Sequence, residues 1–318
     1  MREQLFIHKN YEKWKYAEKV AADADNYAPD VVAGVYADVS ADLSFARAQW
    51  PDSRVTTYLN ALVAEFYKNI HGVRRERSSR LITFWTQEVP AVLYAERQLL
   101  LASLFVFLAA VMAGIVSQHI DHDFCRLILG DDYMNLTEFN IDNGKPMDIY
   151  GQTKSLQMFG MISFNNIWVA LRCFASGILT SIFTCVMLVQ NGLMIGCFDA
   201  YFAQRGLLAD CLTATMLHGT LELSAIVIAG AGGLALGNAW LFPGTYKRIE
   251  ALRMGAKRGL KIVVTIVPIL IIAAFIESFL TRHTEMPVEI KLSIIILSAC
   301  FIVFYYIVWP WYIHAKNK

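Results

Sequence analysis

The stretch from Leu212 to Trp240, LTATMLHGTLELSAIVIAGAGGLALGNAW, decides the fold class of this chain. A helix needs about 20 mostly apolar residues to cross a hydrocarbon core of about 30 Å. This stretch has 29 residues, and Glu222 is its only acidic residue, with no lysine or arginine. The sequence therefore predicts a membrane-spanning helix here, long enough to tilt or to break at the small residues of 229–233.

The composition of the whole chain is that of an α-helical membrane protein. Of its 318 residues, 56% are hydrophobic and only 17% are charged, against about 25% charged in soluble proteins. The mean hydropathy is +0.42, and the net charge of +1 gives no signature of a nucleic-acid partner. Six cysteines form no CxxC pair and are expected to be small buried residues. Secreted disulfide scaffolds, disordered chains and nucleic-acid binders are disfavoured, and an all-α polytopic membrane protein is predicted.

Five further apolar segments accompany the first one. A segment of only 13 residues, 192–204, is too short for a full crossing and is expected to be a short or re-entrant helix inside the bundle. The six predicted membrane segments are 98–117, 164–189, 192–204, 212–240, 262–280 and 292–311.

The loop charges predict the orientation. Segment 246–261 carries six basic residues and one acid, whereas loop 119–156 carries seven acids and three basic residues. Because cytoplasmic loops are enriched in lysine and arginine, the basic segment and both termini are expected in the cytoplasm. The acidic loop is expected outside.

Residues 1–97 differ from the remainder, 98–318. They carry 13 basic and 13 acidic residues and no long apolar run. Apolar residues at helical spacing predict helices over 6–22, 31–49 and 54–72. The sequence thus predicts a cytoplasmic helical domain followed by the six-span membrane domain.

A basic run, 74–80, is followed by the aromatic-rich stretch 81–90, and both precede the first membrane segment. This pattern is typical of an interfacial elbow that contacts anionic lipid head groups. The alternative is a solvated helix face. The basic residues assigned to the membrane surface are Arg74, Arg75, Arg77, Arg80, Lys247 and Arg248.

Four polar side chains lie within the predicted spans at similar depth: Arg172, Asp199, His218 and Glu222. Polar groups at such depth are costly, and many are functional. A buried cluster is predicted, with Arg172 as the cation and Asp199 and Glu222 as candidate anions. His218 would donate, accept or carry a proton. The cluster has two interpretations, structural pairing or a functional site. Glu277, near the end of its span, is expected to reach the interface instead.

Small residues and amides form a second pattern. Gly233 and Gly237 make a GxxxG motif, which indicates either packing within the bundle or a homodimer seam. The amides are expected to cap helices or to bond between them. The full set is Asn165, Asn166, Asn191, Gly192, Gly219, Gly230, Gly233 and Gly237.

Taken together, these motifs resemble the stage II sporulation protein M (SpoIIM, DUF95) family. The pattern is His218-Gly219-x-x-Glu222, then the small residues of 229–233, Gly237, Pro243 and Arg248, with the two amide motifs upstream. Tyr58-Leu59-Asn60 and Val89-Pro90 resemble the long branch of the family, which has a cytoplasmic helical domain. Sporulation members lack so large a front domain, so sporulation itself is not implied.

The resemblance implies a multi-pass protein of the bacterial inner membrane. The founding member is a scaffold that works with peptidoglycan-degrading partners, and long-branch members often accompany RDD-type membrane proteins and MoxR-type ATPases. It implies no catalytic residue, cofactor or metal.

Three functions follow as hypotheses. The first is a non-enzymatic scaffold, and the second is a transporter or lipid flippase that uses the polar cluster. The third, an intramembrane hydrolase, is disfavoured because a catalytic zinc needs about three protein ligands. His218 and Glu222 supply two, and Asp199 would have to supply the third.

Overall fold

A computed structural model describes residues 3–71, 79–144, 155–281 and 286–316 of the chain. The chain divides into two compact units, Met1–Ser78 and Ser79–Lys318. The division precedes the segment 79–95, which the sequence grouped with the front domain. Each unit is described by itself below.

Residues 3–71 of the first unit contain three α-helices, in agreement with the prediction. They are α1 (Glu3–Ala22), α2 (Pro29–Gln49) and α3 (Arg54–His71). Helix α2 begins with Pro29, whose missing N–H costs nothing in a first helical turn, and it ends before Trp50-Pro51. Phe6, Leu59 and Phe66 are among the side chains buried between the helices. Burial of these apolar side chains holds the unit together.

Six helical segments in the described part of the second unit are long and apolar enough to cross a membrane. This confirms the predicted number and the all-α fold class. The segments are Arg97–Ile120, Ser155–Ile178, Ser181–Gln204, Leu208–Leu241, Arg248–Leu280 and Val288–Lys316. The helices in this unit are α4 (Ser79–Thr83), α5 (Val89–Ala95), α6 (Arg97–Ile120), α7 (Phe124–Leu129), α8 (Asp131–Asp142), α9 (Ser155–Ala175), α10 (Ser181–Gln204), α11 (Leu208–Leu241), α12 (Arg248–Val264), α13 (Ile266–Phe275), α14 (Val288–Val303) and α15 (Trp309–Lys316).

The predicted boundary between the second and third spans is wrong. The chain turns at Leu179 and Thr180, within the apolar run 164–189, and Thr180 is extended with φ −166°. Gly177 permits the turn to pack closely, because a Cβ there would lie 2.1 Å from the Gly233 carbonyl oxygen. The third segment is therefore a helix of 24 residues, long and apolar enough to cross a membrane, and not the short helix that was expected. Hydropathy alone does not register a tight turn inside an apolar run.

Helix α11 is the central helix of the bundle, and it continues through 229–233 without a break. In its most apolar 18-residue stretch, 72% of the residues are buried, against 11% in that of the last segment, Val288–Lys316. Its glycines meet neighbouring helices. A Cβ on Gly233 would lie 2.7 Å from Thr184 Oγ1, and one on Gly237 would lie 2.5 Å from the Ser181 nitrogen. The GxxxG motif thus packs within the bundle, where small residues let helices approach closely.

Hydrogen bonds join the segment 79–95 to the last membrane segment, Val288–Lys316. Each of the two contains a widened π-helical turn, Phe84–Glu88 in the first and Phe304–Val308 in the second. A π turn disturbs the regular ladder of helical hydrogen bonds. Tyr305 donates its hydroxyl to the Trp85 carbonyl at 2.9 Å, and Trp309 Nε1 donates to the Thr86 carbonyl at 3.1 Å. These contacts explain why the elbow segment belongs to the second unit.

Helices α7 and α8, which we call the α7–α8 cap, fold against the end of α10. Arg126 bonds to Asn135 at 2.6 Å and to Glu138 at 2.9 Å, and Tyr201 of α10 donates to Glu138 at 2.9 Å. Burial raises the pKa of Glu138, but the hydrogen bonds from Tyr201 and Arg126 and the nearby positive charges outweigh it. The net pKa of Glu138 therefore lies below its ordinary value, and its charged form stabilises the cap.

Candidate functional site

Three side chains meet in the interior of the second unit, the one that contains the membrane segments. His218 and Glu222 lie one turn apart on α11 and so share one face of that helix. Glu277 belongs to a widened turn, Ile276–Leu280, that follows α13. One donor atom from each of the three lies within 4.8 Å of the other two. We call this group the His218–Glu222–Glu277 cluster.

The cluster is largely buried and has defined neighbours. His218 is 8% exposed and Glu277 is 6% exposed. His218 Nε2 lies 3.9 Å from Glu277 Oε1, and His218 Nδ1 lies 3.4 Å from the Thr281 hydroxyl. The amide of Asn166 on α9 donates a hydrogen bond to Glu222 Oε1. Residues from three helical segments therefore contribute to the cluster.

Glu277 lies within the widened turn Ile276–Leu280 and is buried there. A π turn inserts one residue into the helical repeat and rotates the side chains that follow. Ser278, the next residue, is fully buried, and its hydroxyl has no hydrogen-bond partner among the described residues. Such turns recur at functional sites, and a buried unpaired hydroxyl requires an explanation.

The electrostatics of the cluster restrict what it can hold. Two carboxyl groups this close repel when both are ionised, and an apolar surrounding strengthens the repulsion. A proton or a cation between Glu222 and Glu277 removes it. The imidazole of His218 offers a nitrogen that either binds a metal or exchanges a proton. The arrangement is thus suited to a cation or to proton transfer.

The structure corrects the predicted four-residue cluster. Arg172 is exposed and lies in the last turn of α9, because that helix begins at Ser155 and ends well before 189. Asp199 accepts from the Cys211 thiol at 3.8 Å, and Cys211 precedes His218 by seven residues, about 10 Å along α11. Only His218 and Glu222 of the predicted set come together.

Glu277 replaces the two missing members of that set. The sequence placed it near the end of a span and predicted that it would reach the interface, which is wrong because the side chain is buried. The only sequence signal for its role is an acidic residue inside a predicted span. Its place in the cluster depends on the packing of α13 and the turn that follows against α9 and α11.

The remaining motif residues lie as follows. Asn165 is exposed and bonds to Asn166 at 3.4 Å, and Asn191 bonds to the Met187 carbonyl of its own helix at 2.8 Å. Gly192 packs against α6, where a Cβ would lie 2.7 Å from the Phe107 carbonyl oxygen, whereas a Cβ on Gly219 would meet nothing within 4 Å. Gly230 packs against Leu188 and Ser103.

The predicted surface basic residues are only partly described. Arg80, Lys247 and Arg248 are exposed, and the Arg248 guanidinium lies 5.9 Å from the centre of the Trp240 ring. Arg74, Arg75 and Arg77 lie outside the described residues.

Fold and cluster together define a multi-pass α-helical membrane protein with polar groups buried among its spans. The family model of stage II sporulation protein M matches residues 103–282, from α6 to just beyond the cluster. The chain belongs to this family. A second family model, a domain of unknown function (DUF8413), matches residues 4–72, which contain α1 to α3. No curated protein and no solved structure matches the chain.

Proposed function

We propose that this chain is a non-enzymatic scaffold of the bacterial inner membrane that assembles partner proteins of the envelope. The observation that supports it is the apolar surface of the α7–α8 cap. Leu127 is 77% exposed and Phe139 is 65% exposed, on helices that ion pairs and hydrogen bonds hold in place. Large exposed apolar patches mark protein-interaction sites, and we assign such a patch to this cap.

The proposed partners follow from family membership and from the resemblance given above. Peptidoglycan-remodelling proteins would dock on the outer face, and MoxR-type ATPases or RDD-type proteins would contact the cytoplasmic unit or the spans. Self-association is a further proposal. Any homodimer would use a face other than Gly233 and Gly237, because those glycines already pack inside the bundle.

The orientation is part of the proposal, and cysteine labelling tests it. Asp132 on α8 and Lys257 on α12 are both exposed. We expect D132C to react with an impermeant maleimide from outside whole cells, and K257C to react only after the membrane is opened. The unmodified chain is the control, because it gives the background labelling of the native cysteines. Reaction of both variants from the same side would contradict the six-span arrangement.

The docking surface is tested by purification from native membranes with the L127S/F139S variant. Loss of an apolar anchor costs on the order of 2 kcal/mol. We therefore expect recovery of a specific envelope protein to fall at least about tenfold. D132N, on the same cap, is the matched control and should retain the partner. Equal recovery with all three chains would contradict docking at the cap.

A second candidate, transport of a proton, cation or anionic lipid, is favoured by the buried His218–Glu222–Glu277 cluster. Irregular helical turns beside polar groups are common in transport sites. This function predicts that E222Q abolishes flux in proteoliposomes while partner binding persists. The scaffold function predicts instead that E222Q retains partner binding and that no flux occurs with either chain.

A further inference from the structure

We infer that His218, Glu222 and Glu277 bind one divalent transition-metal cation, with Zn²⁺ the best match. The inference rests on the cluster alone, and it holds for a scaffold or for a transporter. It adds a metal that the sequence did not predict, because only two of the three donors were apparent there.

The donor atoms are of the right kind. Zinc binds imidazole nitrogen at about 2.0–2.1 Å and carboxylate oxygen at about 2.0–2.2 Å, and all three donors of the cluster are of these two kinds. Hard cations such as Mg²⁺ and Ca²⁺ prefer all-oxygen sites. The presence of His218 therefore favours a first-row transition metal.

The donor atoms are also nearly in place. Tetrahedral zinc separates its ligand atoms by about 3.3–3.5 Å, as follows from the bond lengths. The three donor atoms lie within 4.8 Å of one another, and His218 Nε2 is 3.9 Å from Glu277 Oε1. Small side-chain rotations close this gap. Three protein ligands leave a fourth position open for water or another ligand.

A second set of residues orients the ligands. Metal-binding histidines commonly use the other ring nitrogen for a hydrogen bond, and ligating carboxylates are themselves hydrogen-bonded. Thr281 Oγ1 lies 3.4 Å from His218 Nδ1, which leaves Nε2 facing Glu277. The Asn166 amide holds Glu222. This pattern distinguishes the cluster from a chance meeting of acidic groups.

The charge of a bound metal also suits the cluster. The two positive charges of a zinc ion would offset the two carboxylates, whose mutual repulsion is strong in an apolar surrounding.

The test uses the full-length chain, purified in detergent without a polyhistidine tag and stripped with EDTA. After equilibration with ZnCl₂ and removal of free metal, elemental analysis should find about one zinc per chain. E222Q, E277Q and H218N should each lose most of it. D199N is the matched control, since Asp199 is a partly buried carboxylate outside the cluster, and it should bind as the unmodified chain does.

Two further measurements keep the inference open to refutation if a variant misfolds. Zinc should raise the melting temperature of the unmodified chain in a concentration-dependent way, because a ligand that binds only the folded state stabilises it. Co²⁺ should give visible d–d bands without a thiolate charge-transfer band. No bound zinc, no rise in melting temperature, a thiolate band, or undiminished binding by E222Q would each overturn the inference.

Discussion

The α7–α8 cap and the His218–Glu222–Glu277 cluster both contain acidic side chains, but they stabilise them with different partners. In the cap, Glu138 is partly exposed and is paired with Arg126, Arg205 and the Tyr201 hydroxyl. In the cluster, the neighbours of the carboxylates are an imidazole, an amide and each other. Outside the spans, water and arginine side chains stabilise a carboxylate at little cost in free energy. Inside the spans, a carboxylate needs defined partners close to it. The difference explains why the cluster, unlike the cap, has the character of a metal site.

The largest effect is expected from a substitution in α11, the helix that carries His218 and Glu222. It should affect the cluster and leave the cap intact. G233V should abolish zinc binding and destabilise the bundle by several kcal/mol, because the added Cβ would lie 2.7 Å from Thr184 Oγ1. The cap should keep its protection, as measured by hydrogen exchange of peptides from 124–142. G219A is the matched control, since a Cβ there meets nothing within 4 Å, and it should be neutral or stabilising by about 0.5–1 kcal/mol. Equal destabilisation by both variants would contradict close packing at Gly233.

A smaller effect is expected from the amide that supports the cluster. N166L removes the donor to Glu222 and should lower the free energy of unfolding by about 1–3 kcal/mol, measured by SDS titration in mixed micelles. Q157L is the control, because Gln157 is an exposed residue of the same helix. If the two variants lose the same stability, the hydrogen bond to Glu222 is not important.

The corresponding change in the cap should cost less. Y201F removes the hydroxyl that donates to Glu138 at 2.9 Å and should destabilise the cap by about 1 kcal/mol. The readout is faster hydrogen exchange in 124–142, with zinc binding unchanged. Y133F, on α8 itself, should leave the exchange as it is. Loss of zinc binding in Y201F would show that cap and cluster are coupled.

The smallest effect is the pH dependence of the cap. The folded pKa of Glu138 lies below its ordinary value of 4.5. Its stabilisation is therefore complete above pH 4.5 and is lost as the pH falls through the lower folded pKa. We expect protection of 124–142, corrected for intrinsic exchange, to decline below pH 4.5. E138Q should flatten this decline. An unchanged slope in E138Q would assign the pH dependence to other groups.

Much of the fold could be predicted from the sequence, because apolar length and loop charge act locally. The number of spans and the three front helices depend on such signals. The turn at Leu179 and Thr180 does not, since it lies inside one continuous apolar run. That single displaced boundary also moved Arg172 into a cluster to which it does not belong.

The candidate site was predictable only in half. His218 and Glu222 share a face through their spacing of four residues, which the sequence shows directly. Glu277 joins them because α13 and the turn Ile276–Leu280 pack against α9 and α11. Such tertiary effects leave no pattern in a single sequence.

The most direct test of the metal site is X-ray absorption spectroscopy of the zinc-loaded chain. Our account predicts a first shell of nitrogen and oxygen atoms at about 2.0–2.2 Å, with a signature of one imidazole. This first shell should be absent from E277Q after the same loading. A shell containing sulfur at about 2.3 Å, or the same spectrum from E277Q, would contradict it.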